Sequence, residues 1–418
     1  MSRRRTFLRW TLLALLALSA LALLWLAQPR NLAPTVLGLA GDALGLEITA
    51  EGEADYRLRG TPQLVVRGLS AREPGAAQPL LTAERVLIAL PWSTLRARGQ
   101  ELTATRLELE APMLDLAAFQ QWQARRPPGD TPLPTLTDGL QIMRGTLLGQ
   151  DWKIEQLEAR LPSLAAGKPL RAHLRGRYVS AALTIPADLH LALTQPASDT
   201  GLGVSGDLAL ESGQWRMPSR LRLSARLHTD KGLQLEHAVL GASVRYVSGN
   251  TSLPFALGLA GPLRIDASGI ALQPVALALR GQASMPTLDA EGGFNLGDAL
   301  QLQLEGQLAN WPEAWPALPP PLGQSNSPLP FSLGYAGAND FSDIASLQLQ
   351  RDDTRFDGHF RLFDIITWTS ATTLDSPLPP IAGTLSTPRM EISGAVLEGV
   401  EVSMEDDSLP VPKVAPRQ

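Results

Sequence analysis

The feature that most constrains this chain is an alternation of leucine with polar residues at a period of two, which recurs over most of its length. In runs such as 220–223 (RLRL) and 301–305 (QLQLE), every second residue is leucine and the residues between are charged or amide. Successive side chains of a β-strand point to opposite faces, so this pattern places leucine on one face only. One apolar face and one wet face are typical of antiparallel sheets. The sequence therefore predicts a mainly β protein.

Turn residues and the scarcity of helical patterns support the same fold class. The 36 glycines and 34 prolines fall largely between the alternating runs, at intervals expected of hairpin turns. Only 115–126 (DLAAFQQWQARR) has a clear helical period, and 91–95 (PWSTL) is typical of a single capped turn. We therefore predict a long curved antiparallel β-sheet with a few short helices.

The apolar face of such a sheet must be covered in one of a small number of ways. Its residues here are Leu, Ala and Val, since only 5% of the chain is aromatic. Two sheets packed as an open sandwich would cover the face, and a groove left open for acyl chains would leave that role to a lipid. The sequence leaves both possibilities open. The candidate groove-lining residues are Leu107, Leu109, Leu221, Leu223, Leu302 and Leu304.

The N-terminus predicts a membrane anchor. Residues 1–9 carry four arginines, and the apolar run 10–27 follows directly. Eighteen helical residues span about 27 Å, close to the ~30 Å hydrocarbon core of a bilayer. A basic flank stays cytoplasmic, so we expect a single-pass helix with its N-terminus in the cytoplasm and the bulk of the chain exported. The candidate anchor residues are Trp10, Leu12, Leu13, Leu15, Leu16, Leu18, Leu21, Leu23, Leu24, Trp25 and Leu26.

A cleaved signal peptide is the competing interpretation of the same segment. Residues 20–22 (ALA) offer small side chains at the spacing that signal peptidase requires. The apolar run continues past them to Ala27, which favours an uncleaved anchor.

Composition excludes several functions. The chain has no cysteine, so it has no disulfides, thiolate metal sites or cysteine nucleophiles. Its net charge of −5 and pI near 5.7 argue against nucleic acid as a partner.

The search for catalytic motifs finds no convincing site. The five histidines (173, 190, 228, 237 and 359) have no metal-ligand spacing. The stretch 201–206 (GLGVSG) matches a dinucleotide-binding pattern, but alternating residues follow it where a helix is required, so we predict a turn there. Asp352 and Asp353 lie between two alternating runs, which predicts a hairpin turn. We therefore predict a protein that is not an enzyme, with no catalytic, cofactor or metal site.

The chain divides into seven regions, of which the N-terminal and C-terminal β regions are those that carry the family resemblance given below. They are a basic segment (1–9), a transmembrane helix (10–27), an N-terminal β region (28–138), a central β region (139–310), a proline-rich linker or loop (311–330), a C-terminal β region (331–404) and a disordered tail (405–418).

The order of the segments resembles the AsmA family. The resemblance rests on an anchor followed by degenerate β patterns at 46–52, 62–69, 80–90 and 102–112, and on 329–333, 353–358, 387–392 and 395–400 near the C-terminus. It implies an inner-membrane protein with a β-rich periplasmic domain that takes part in outer-membrane assembly. Larger relatives, including the TamB-like proteins, resemble bridge-like lipid carriers, so the resemblance favours the groove over the sandwich.

The resemblance implies phospholipid, the inner membrane and other envelope proteins as partners. Two other classes of function remain open. A component resembling the N protein of type II secretion would be a structural or interaction subunit of an envelope machine. A periplasmic glycan-binding or envelope-enzyme function is the third class, but the sequence shows no carboxylate pair placed for hydrolysis.

Overall fold

The structure is a computed structural model. It describes residues 37–38, 41, 44–52, 54–57, 59–96, 103–125, 135–181, 183–213, 215–229, 232–249, 251–266, 269–282, 285–312, 318, 320–325, 327–338, 342–362, 364–365, 380–392, 394–406 and 409. The predicted basic segment (1–9), the predicted anchor (10–27) and most of the predicted tail (405–418) lie outside these ranges. No helix within the described ranges is long and apolar enough to cross a membrane.

The prediction of a mainly β protein is confirmed. The chain divides into two compact units, Met1–Pro196 and Ala197–Gln418. The first contains β1 (Glu47–Ala50), β2 (Asp55–Arg57), β3 (Gln63–Arg72), β4 (Leu81–Ala89), α1 (Trp92–Arg96), β5 (Thr103–Ala104), β6 (Arg106–Glu110), β7 (Met113–Asp115), α2 (Leu116–Arg125), β8 (Thr135–Leu136), β9 (Leu140–Leu148), β10 (Trp152–Leu161), β11 (Leu170–Ser180) and β12 (Thr184–Leu193).

The second unit contains twelve longer strands and one turn of 3₁₀ helix among its described residues. These are β13 (Asp199–Ser212), β14 (Trp215–His228), β15 (Leu233–Ser248), β16 (Thr251–Asp266), β17 (Gly269–Gly281), β18 (Thr287–Leu296), β19 (Leu300–Asn310), the 3₁₀ turn Leu322–Gln324, β20 (Leu329–Gly337), β21 (Ile344–Arg351), β22 (Thr354–Arg361), β23 (Ile381–Ile392) and β24 (Ala395–Met404).

The sheet of the first unit is mixed, so the prediction of an entirely antiparallel sheet is wrong there. Most neighbouring strands are antiparallel, but β9 pairs in parallel with β6 and β7, and β5 pairs in parallel with β8. Between β7 and β9 the chain passes through α2, and a crossover of this kind returns the chain in its original direction. Local alternation in the sequence predicts each strand but not this long-range pairing.

The predicted helix at 115–126 is confirmed as α2. Asp115 caps it, because its Oδ1 accepts a hydrogen bond from the Ala118 amide at 2.9 Å. Phe119 and Trp122 pack against the buried residues Leu46 and Leu80. The predicted turn at 91–95 is also helical, as α1.

The second unit is an antiparallel meander in which each strand from β13 to β24 pairs with the next. The predicted turn at Asp352 and Asp353 is confirmed, since Arg351 and Thr354 are paired and Asp352 has a left-handed φ of 52°. The predicted turn at 201–206 is wrong, because these residues lie inside β13 and pair with β14. Glycine in the interior of a strand weakens the strand but does not by itself end it, so the three glycines of this stretch did not require a turn.

The proline-rich region 311–330 covers part of the sheet of the second unit. It connects β19 to β20, which are themselves paired. Its residues Trp311, Leu318 and Leu322 pack against Leu308, Leu329 and other buried side chains of these strands. The buried Arg351 holds this cover, because its Nη1 donates to the carbonyl oxygens of Leu322 and Ser325 at 2.7 and 2.8 Å.

Candidate binding site: the leucine face of the second unit

A row of apolar residues crosses every strand of the second unit, and we call it the central row. Its members are directly opposite one another on successive strands, all on one face of the sheet. In order they are Val204, Leu223, Leu240, Leu259, Leu277, Ala290, Gly306, Phe331, Leu349, Phe356, Leu385 and Val402.

Burial changes along the central row. Leu349, Phe356 and Leu385 are only 6%, 7% and 3% exposed, because the segment around Leu322 packs over them. On β14 to β17 the leucines of the same row are half-buried. One face of one sheet is therefore covered at β21–β23 and less covered at β14–β17.

We call the half-buried leucines of β14–β17 the leucine face. It consists of Leu221, Leu223, Leu240, Leu257, Leu259, Leu277 and Leu279. None of the four clusters of buried residues in the described part of the chain includes a residue of β13–β17. Near one end of the same face, the paired Leu233 and Ile265 are 40% and 38% exposed. The seven leucines are therefore only half-buried, whereas Leu235, Ala238 and Val275 on β15 and β17 are buried.

The dimensions of the leucine face suit a lipid tail. On β16 every residue of this side from Leu253 to Ile265 is apolar or glycine, which corresponds to a length of roughly 40 Å at 3.3 Å per residue. Four strands at a spacing of ~4.8 Å make a surface roughly 15 to 20 Å wide. A surface of this size accepts the extended acyl chains of one or more lipids.

The candidate groove residues from the sequence divide between three places. Leu221 and Leu223 belong to the leucine face. Leu302 and Leu304 lie on the same side of the sheet on β19, where Leu302 packs against the buried cluster around Leu300 and Tyr335. Leu107 and Leu109 belong to the first unit, on β6 between β4 and β9. The structure therefore joins four of them on one face, where Leu302 packs against a buried cluster and Leu221, Leu223 and Leu304 are half-buried.

The second unit carries an open trough of 2150 Å³ that sequence reasoning missed. At β15–β17 its lining is apolar and comes from both faces of the strands, since Leu240, Leu259 and Leu277 line it together with Val239, Ala260 and Ala276. At β18–β21 its lining is polar, including Gln303 and Gln348. The sequence signal for the trough was the run of small residues between the leucines of β16 and β17, because a face that contacts only solvent usually carries polar residues there.

Two carboxylates face each other on the polar part of the trough. Glu291 on β18 is directly opposite Glu305 on β19, and both are exposed. In the described part of the chain, no arginine, lysine or histidine forms an ion pair with either of them. Like charges placed directly opposite destabilise a sheet, so this end of the trough has an uncompensated negative charge.

Arginine–aspartate pairs stabilise β13 and β14 on the polar face of the sheet, which is opposite the leucine face. Arg226 donates to both carboxylate oxygens of Asp199 at 2.7 and 2.6 Å, and Arg220 donates to both of Asp207 at 2.8 and 3.2 Å. The hydrogen bonds from these arginines lower the pKa of each aspartate below its usual value. No such pair lies on the leucine face.

The structure corrects the expectation that the histidines are scattered. His173 on β11 is directly opposite His190 on β12, and Asp188 lies beside them. They are 17 residues apart in the sequence, so only the hairpin register brings them together.

Comparison with protein-family models, with curated proteins and with solved structures finds no match to this chain. The resemblance to the AsmA family therefore stays a prediction from the sequence.

Proposed function

We propose that this chain is a non-enzymatic periplasmic protein, anchored in a bacterial inner membrane, that binds phospholipid acyl chains on its leucine face and assists outer-membrane assembly. The observation that carries the proposal is the change along the central row, from buried at β21–β23 to half-buried at β14–β17. A large apolar surface without a protein cover is typical of a binding surface.

The chemistry of the leucine face favours a lipid tail over a polar ligand. Leucine offers neither hydrogen-bond donors nor acceptors, so binding depends on removing apolar area from water. Each methylene buried contributes about 0.8 kcal/mol, and ten methylenes of one tail contribute roughly 8 kcal/mol before the cost of ordering the chain. A headgroup can stay in solvent at the rim of the sheet while the tail lies along the strands.

In this proposal, the N-terminal segment anchors the protein in the membrane. A basic segment followed by an apolar run of about 18 residues holds the β units beside the membrane from which phospholipid is taken. The AsmA-family resemblance supports the same location.

In-cell photo-crosslinking tests the proposal with two adjacent positions. Leu259 lies on the leucine face, and Ala260, the next residue of β16, points to the opposite face of the sheet. A photoreactive amino acid is placed at one or the other, cells are irradiated, and the attached molecules are identified by mass spectrometry. We expect phospholipid at position 259 and none at 260. Phospholipid at 260 alone would place the lipid on the opposite face of the sheet instead.

A structural or interaction subunit is the second candidate function, and the last strand favours it. Within the described residues, β24 pairs only with β23, so its outer edge is available for another strand. Val396, Leu397 and Val402 on it are 47%, 46% and 39% exposed. The same crosslinker at Val402 should attach to an envelope protein if this function is correct.

A further inference from the structure

The hairpin of β11 and β12 brings three metal-ligating side chains to one place. His173 and His190 are directly opposite each other, and their rings are 4.5 Å apart between centroids. His173 Nε2 lies 2.6 Å from an Asp188 carboxylate oxygen. One ligand atom from each residue lies within 4.8 Å of the other two. Each residue is half-buried or exposed, so solvent ions reach the group.

The backbone explains why the three side chains converge. Asp188 and His190 are two residues apart on one strand and therefore share a face. The Cβ atoms of directly opposite residues lie about 4.5 to 5.5 Å apart, which puts His173 within reach of the same point. The arrangement belongs to the sheet register rather than to a loop.

The donor set suits a divalent ion of intermediate softness. Two imidazoles and one carboxylate are ligands that Zn²⁺ and its neighbours accept, at about 2.0 to 2.2 Å each. Donor atoms of a tetrahedral site lie roughly 3.3 Å apart at those bond lengths. The present separations range from 2.6 Å to at most 4.8 Å, so the three side chains must adjust to close the site around an ion. Three protein ligands leave a fourth position for water or an anion.

The surrounding charges are mixed. Arg160 on β10 is opposite His173, and Arg175 on β11 lies between Glu158 and Asp188. All of these neighbours except Asp188 are exposed, so solvent screens the repulsion between an arginine and a bound cation. The positive charges of Arg160 and Arg175 also favour an anionic ligand at the fourth position.

From these contacts we propose that His173, Asp188 and His190 form a binding site for one divalent transition-metal ion of the Zn²⁺ type. The site lies in the first unit. Its test is therefore independent of the test of lipid binding by the leucine face.

Zinc titration of the full-length chain tests the proposal. The chain is purified in mild detergent through a tag without histidine, stripped with a chelator, and titrated with Zn²⁺ in a calorimeter. We expect one ion per chain. The His173→Asn and His190→Asn variants should each bind Zn²⁺ at least tenfold more weakly. Removing a hydrogen-bond partner of a metal ligand already lowers affinity about 10- to 100-fold, and removing the ligand itself should lower it by at least as much. His359→Asn is the matched control and should bind as the unmodified chain does.

A second measurement separates loss of the site from loss of folding. Zn²⁺ should raise the melting temperature of the unmodified chain and leave that of the His173→Asn, His190→Asn double variant unchanged. Co²⁺ should give the unmodified chain alone the visible absorption of a tetrahedral nitrogen–oxygen site. Equal Zn²⁺ affinity in the unmodified chain and a folded double variant would overturn the proposal, and so would a loss of equal size in His359→Asn.

Discussion

Among the described residues, Arg351 is the only charged side chain that is buried, and it determines how the second unit is covered. Its guanidinium holds two carbonyl oxygens of the segment that carries Leu322. The sequence could not predict this role, because Arg351 occupies a position in β21 where the alternation predicts an apolar residue.

Replacing Arg351 with methionine should lower the free energy of unfolding by about 3 kcal/mol. The change leaves the Leu322 and Ser325 carbonyl groups without their charged donor, and hydrogen bonds to charged groups contribute about 1.5 to 3 kcal/mol each. Urea unfolding followed by circular dichroism measures it. Arg355→Met, at an exposed position on β22, is the control and should change the value by less than about 0.5 kcal/mol. Equal effects of the two variants would contradict the assignment.

The Arg226–Asp199 and Arg220–Asp207 pairs predict a pH dependence of stability. The folded pKa of each aspartate is below its unfolded value, so the stabilisation is present above about pH 4 and is lost as the pH falls through the folded pKa. Melting temperatures of the unmodified chain and of the Asp199→Asn, Asp207→Asn variant should therefore differ at neutral pH and converge in acid. A difference that grows in acid would contradict the sign of the shift.

At the scale of secondary-structure elements, the alternation in the sequence was enough to predict strands and the 352–353 turn. It could not predict that β9 pairs in parallel with β6, since that pairing depends on the crossover through α2. The alternation also placed Leu221, Leu223, Leu302 and Leu304 on one face. Whether a leucine on that face is covered depends on Leu322, more than ten residues away in the chain from β19, so composition could not decide between sandwich and groove.

The same substitution at two points of the central row tests the difference in cover. Leu385→Ala, at a residue 3% exposed, should lower the free energy of unfolding by about 3 kcal/mol, because it leaves a cavity in a packed cluster. Leu259→Ala, on the leucine face, should cost about 1 kcal/mol or less, since its side chain is already partly exposed to solvent. Denaturant unfolding of the lipid-free protein measures both. Equal losses would mean that the leucine face is covered as well as the C-terminal strands are.

At the scale of the whole molecule, a predicted membrane anchor and an apolar surface on the second unit belong to one chain. The first comes from residues 10–27 of the sequence and the second from the burial of strands β14–β17. The histidine group on β11 and β12 is a separate site. The sequence alone could not predict it, because His173 and His190 come together only through the pairing register of the hairpin.

The content of phospholipid in the purified protein tests the central claim most directly. Residues 28–418 are produced in a bacterial periplasm, purified without detergent and extracted, and the phospholipid per chain is counted by mass spectrometry. We predict at least one phospholipid per chain, lost when Leu240 and Leu259 are both changed to Asp and kept when Ser243 and Ala260, on the opposite face, are changed to Asp. A folded chain that carries no phospholipid, or one that loses it equally in both double variants, would contradict lipid binding on the leucine face.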